Sequence, residues 1–145
     1  MARYSAGVRT AAGSTTLPLI SLYSAAAAAG KIREIGLFNT MATAVAVALF
    51  RLTSAGTQGA GLTEAKHSPI SAAASCTAFT THTVLPTLGD DLGYRAAIGA
   101  AVGAGVIWTF GDTGLEMPVG VANGIGVLIG TGTGQVLDAY IVWDE

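Results

Sequence analysis

Leu137-Asp138-Ala139-Tyr140-Ile141-Val142-Trp143, near the end of the chain, decides the fold class. Leu137, Ala139, Ile141 and Trp143 fall on one side of a two-residue period, and Asp138, Tyr140 and Val142 fall on the other. A helical period does not separate these residues, whereas a strand with one core face does. Ala44-Val45-Ala46-Val47-Ala48-Leu49 shows the same alternation with bulky and thin faces that are both apolar, so both faces of this strand should be covered. The alanines leave a buried helix over residues 43–52 as the alternative.

Working outward, the spacing predicts eight strands, over residues 15–23, 31–39, 43–52, 76–84, 94–98, 106–110, 124–129 and 135–143, each bounded by Gly, Pro, Asn or Asp. Short strands with glycine turns and no helical stretch between them predict an all-β, jelly-roll-like β-sandwich. The expected inward set is Val45, Val47, Leu49, Val127, Ile129, Leu137, Ile141 and Trp143. Gly124, Gly126 and Gly130 share the opposite face of their strand, which marks a sheet bend or the close approach of another backbone. Residues 1–14 are small and polar, with Arg3 and Arg9 and no acid, and are expected to form an extended N-terminal arm, leaving 15–145 as the sandwich domain. Residues 53–75 should be a long loop of the kind that is usually functional or misassigned.

Composition bounds function. A length of 145 residues suits one domain. The apolar share is 51% and the charged share only 11%, the reverse of a disordered chain. A net charge of −2 excludes a basic field over the whole chain for nucleic acid. Mean hydropathy is +0.57, yet the longest uncharged runs are broken by Pro18 and Pro118 and do not read as membrane-spanning helices. A secretory leader is the closer rival for residues 3–29, interrupted by Pro18 and Ser21.

Chemistry is sparse. His67 and His82 lie in no metal-binding spacing, Cys76 has no base beside it, and no phosphate-cradling glycine pattern precedes a Lys-Ser/Thr pair. The expectation is no catalytic residue, no metal and no cofactor, with His82 a hydrogen-bonded or solvated strand residue. All seven bases lie at or before Arg95, followed only by the acids Asp112, Glu116, Asp138, Asp144 and Glu145. A basic arm carrying Arg3, Tyr4 and Arg9 would then reach an acidic neighbour. A monomer of this mass exposes roughly 6,900 Å² by size scaling, with only 16 charged side chains to cover it, 7 basic and 9 acidic. That predicts assembly, as a homotrimer, through small residues: Ala44, Ala46, Ala48, Gly124 and Gly126.

Four stretches carry a family resemblance: Arg33-Glu34-Ile35-Gly36-Leu37-Phe38-Asn39-Thr40, Arg51-Leu52-Thr53-Ser54-Ala55-Gly56-Thr57, Val106-Ile107-Trp108-Thr109-Phe110-Gly111 and Gly130-Thr131-Gly132-Thr133-Gly134-Gln135-Val136-Leu137-Asp138. The chain resembles small proteins encoded among tailed-phage and prophage structural genes, and in organisation it is similar to jelly-roll capsid decoration (cement) proteins. The resemblance implies a non-enzymatic virion protein on the outer surface of the capsid, with the major capsid protein and its own copies as partners and no direct contact with nucleic acid or membrane. A trimeric receptor-binding or tail-associated module, similar to TNF-like or C1q-like heads, is the alternative, and a cupin-type enzyme a third.

Overall fold

The computed structural model describes residues 1–132 and 134–145; Thr133, within the glycine-rich stretch quoted above, lies outside the described residues. The chain is all β. Its strands are β1 (Arg3–Arg9), β2 (Ile20–Tyr23), β3 (Gly30–Asn39), β4 (Val45–Leu52), β5 (Ala65–Lys66), β6 (Thr77–Phe79), β7 (Leu88–Ile98), β8 (Gly105–Thr109), β9 (Leu115–Met117), β10 (Gly124–Thr131) and β11 (Leu137–Asp144). One sheet, A, has the order β5-β1-β11-β3-β8, with β9 added on β3; the other, B, has the order β6-β2-β10-β4-β7.

The pairing rule is simple. β1 pairs with β11, β2 with β10, β3 with β8 and β4 with β7, all antiparallel. With β5, β6 and β9 set aside as short additions, the first of eight strands pairs with the last, the second with the seventh, and so inward. That is one long hairpin of double strands rolled into two sheets, the jelly roll. Val45–Leu52, within the expected 43–52, form a strand and not a helix because alternate side chains Val45, Val47 and Leu49 fill the core while Ala46 and Ala48 lie on the other face. All eight residues of the expected inward set are buried. They pack between the sheets with Ile20, Leu22, Ile32, Ile35, Leu37 and Ile125.

Residues 1–14 are not an arm. β1 pairs along its whole length with β11, from Arg3 opposite Asp144 to Arg9 opposite Asp138. Tyr4 is 3% exposed and its ring stacks on Trp143 at 5.8 Å, while its hydroxyl donates to the Ala72 carbonyl at 3.1 Å. The segment read as an arm because Ala, Ser and Gly mask the alternation; only Tyr4, Ala6 and Val8 trace the inner face, and they do so weakly in a sequence. Three strands, β1, β5 and β9, were therefore not legible, the last two being only two and three residues long.

The charge asymmetry is resolved inside the chain. Arg9 Nε donates to Asp138 Oδ1 at 2.8 Å, and Arg3 Nε to Asp144 Oδ1 at 2.7 Å. Asp144, whose side chain is 7% exposed, also receives Arg33 Nε at 2.6 Å on its other oxygen. The hydrogen bond from Arg3, aided by that from Arg33, holds the Asp144 carboxyl below its ordinary value despite burial. Beside this triad the Glu145 carboxylate accepts the Ser75 and Cys76 amides, each at 3.0 Å.

Three outcomes test this architecture. Ile141→Ala should cost about 2–5 kcal/mol in chemical denaturation, as deletion of buried methylenes does. Asp144→Asn should cost on the order of 2–3 kcal/mol, less than a fully buried pair because Arg3 is half exposed, and removal of residues 1–14 should abolish cooperative unfolding altogether.

Candidate interaction surface

The outer face of sheet B is where the expected assembly residues lie, and it divides into two halves. On β2, Ile20 and Leu22 point into the core, so Ser21 and Tyr23 point outward, opposite Gly126 and Gly124 of β10. Yet Ser21 and Tyr23 are buried, as is Leu52 beside them. The segments on either side of β5 and β6, residues 53–61 and 80–87, fold back over this half. The Thr53 amide donates to the Thr87 carbonyl at 2.9 Å, the Tyr23 hydroxyl to the Ser54 carbonyl at 3.2 Å, and the His82 amide to the Pro18 carbonyl at 2.9 Å. Isolated bridges join Thr57 to Val84 and Gly61 to Phe79.

The cover explains the glycines. A Cβ built on Gly124 would lie 2.7 Å from the Tyr23 ring, and one on Gly126 would lie 2.9 Å from the Leu52 side chain and 3.1 Å from Pro18. The close approach expected at these positions is real, but it comes from the chain's own side chains. Gly124 and Gly126 are buried in the single subunit and do not form an interface with a second one.

His82 anchors the cover. It is 1% exposed, its Nε2 shares a hydrogen bond of 2.9 Å with Ser21 Oγ, and its ring lies 5.9 Å from that of Tyr23. Of the expected alternatives the structure selects a hydrogen-bonded histidine, but a buried one in the connection after β6 and not in a strand. Burial pushes its pKa down, offset in part by the Val84 backbone. Burial likewise raises the Tyr23 phenol, and it pushes the Cys76 thiol up to about 12, so that the thiol is held unionised near neutral pH.

The other half of the face has no such cover. Ala44 is exposed, Ala46 half-buried and Ala48 buried, so only two of the three alanines stand at the surface. Ala46 and Ala48 line a shallow hollow of about 270 Å³ with Arg95, Ala97 and Gly130. Arg95 is paired with Asp91 on a bulged stretch of β7, where two residues of β4 oppose a longer run of β7. Gly130 is one of the three glycines whose shared face was legible in the sequence, whereas the place of Ala97 on this face follows from strand register. At the neighbouring open side of the sandwich, Tyr94 of β7, 38% exposed, lies 5.0 Å from Phe110 and 6.1 Å from Trp108 of β8, with Ile107 50% exposed alongside.

Arg3, Tyr4 and Arg9, the expected partner anchors, are brought to one strand but are spent on intrachain contacts. Among the described residues no group of three or more His, Cys, Asp or Glu side chains is placed to hold a metal ion, and no helix is long and apolar enough to cross a membrane. No protein-family model, no curated protein and no solved structure matches this chain.

The cover has a pH signature. A histidine with a lowered folded-state pKa gives its full stabilisation above its unfolded value near 6.5, and that stabilisation is lost as the pH falls through the folded value. Unfolding free energy measured from pH 7 to pH 5 should therefore fall for the native protein and stay flatter for His82→Gln. Asp144 and Asp138, whose pKa values are lowered from 3.8, give their own loss only at more acid pH.

Proposed function

We propose that this chain is a non-enzymatic structural protein of a tailed-phage virion, which decorates the outside of the capsid and stabilises it through lateral contacts with its own copies, as a homotrimer, and with the major capsid protein. The observation that carries this reading is the uncovered half of sheet B. The chain screens half of that face with residues 53–61 and 80–87 and leaves Ala44, Ala46, Ala97 and Gly130 open. Small side chains let a second backbone approach closely and bury area at little cost in side-chain entropy. The charge pattern supports the same reading, since five of the seven bases are already in intrachain ion pairs on a surface of 6373 Å². Jelly rolls serve as capsid and lectin domains alike, so the fold agrees with this role without selecting it.

In this reading binding to the shell adds free energy to the assembled state alone, which is how a decoration protein stabilises. The contacts belong to the globular sandwich, since β1 is committed to sheet A. A trimeric tail-associated or receptor-binding module is the second reading, favoured by the half-exposed Tyr94 over Trp108 and Phe110.

Electron microscopy of the native particle tests the pair: density on the head lattice supports decoration, and density confined to the tail supports the second reading. In solution, Ala97→Glu places a charge on the open face without touching the core. It should convert the sedimenting oligomer to a 14.5 kDa monomer with unchanged unfolding, whereas a wild-type protein that sediments as a stable monomer would count against assembly.

A further inference from the structure

Four of the five arginines, Arg3, Arg9, Arg33 and Arg95, are held by carboxylates. Among the described residues the fifth, Arg51, has no carboxylate partner, and it lines a cavity between the sheets. Arg51 follows Leu49 by two residues on β4, so it shares the inward face of sheet B at the end where the sandwich opens. Its Nη1 crosses to the other sheet and donates to the Glu116 carbonyl of β9 at 2.8 Å. That bond uses one of five guanidinium N–H groups.

The cavity has a volume of about 560 Å³, within the range of small-molecule sites. Its floor is apolar, with the buried Met117 and the ring of Pro118. Its charged groups are Lys31, Arg51 and Glu116, two bases and one acid, so the lining carries +1. Lys31 and Glu116 neutralise each other at 2.7 Å, which leaves the single charge on Arg51. Asn123, whose amide nitrogen donates to the Val119 carbonyl at 2.8 Å, and Thr53 add uncharged polar groups at the same site.

We propose that this cleft is a binding site for an organic monocarboxylate, with the carboxylate on the Arg51 guanidinium and the body of the ligand on Met117 and Pro118. A planar fork suits a carboxylate in two parallel hydrogen bonds. One uncompensated charge matches a monoanion and leaves a phosphate dianion under-neutralised, and the apolar floor selects a carbon-based body over a bare inorganic ion. The acid sits either on a sugar or at the end of a peptide, and both present the same chemistry to Arg51.

The test is an amide chemical-shift titration of the full chain with methyl glucuronide, with acetyl-leucyl-leucine, with the amidated form of that peptide, and with inorganic phosphate. Saturable shifts at Gly30, Thr53 and Gly124 are expected at millimolar ligand for one or both carboxylates, and none for the amide or for phosphate. The responding carboxylate identifies the source as sugar acid or peptide terminus. Arg51→Gln should weaken binding at least tenfold, and Glu116→Gln should strengthen it, because it lifts the net charge of the lining. The proposal is overturned if neither carboxylate shifts these amides, if the amide or phosphate binds as well as the acid, or if well-folded Arg51→Gln and Glu116→Gln both bind like the wild type.

Discussion

The pairing of the first strand with the last is the constraint on which the rest depends. A jelly roll is a rolled hairpin, and each successive double strand is positioned by the one outside it. β1 on β11 is the outermost pair, and the chain secures it at both ends. The Ala2 amide donates to the Glu145 carbonyl at 2.8 Å and the Glu145 amide to the Ala2 carbonyl at 3.0 Å, while Arg9 and Asp138 close the far end. Asp144 ties this pair to β3 by accepting Arg3 on both oxygens and Arg33 on Oδ2. A carboxylate so nearly buried is tolerable only because both oxygens are satisfied. The contacts joining these strands are almost all between residues far apart in sequence, which makes this a topology of slow, late closure.

The same economy of charge shapes the surface. With few ionic groups available, most are used to fasten strands, and what remains outside is small and weakly polar. On the outer face of sheet A, Tyr140 lies flat over Gly36, where a Cβ would meet its ring at 2.1 Å, and its hydroxyl donates to Glu34 at 2.5 Å. On sheet B residues 53–61 and 80–87 take that role over one half and leave the other half bare. The proposed assembly rests on this imbalance, one apolar half-face covered by the chain's own backbone and the next left open.

Arg51 stands apart because it escapes this rule. An arginine at the mouth of the core, bonded once to a backbone carbonyl and otherwise facing a cleft, is held in position without being neutralised. The cleft and the bare face are separate features, one between the sheets and one outside them. A ligand in the first therefore need not compete with copies packed on the second.

The alternation of Leu137, Ala139, Ile141 and Trp143, and of Val45, Val47 and Leu49, was by itself enough to determine an all-β sandwich and the inward residues of these strands, because a two-residue period is a local property. Local signal failed where side chains were small or strands short, which is why β1 read as an arm and β5 and β9 as loop. Pairing was beyond sequence for a different reason. Whether Arg3 meets a neighbour's acid or its own Asp144, 141 residues away, depends on register, and register is set by the whole roll. The same holds for Gly124 and Gly126, whose need for close contact was visible while the identity of the contact was not, and for Arg51, which looks like any other charged residue until the topology leaves it alone in a cleft.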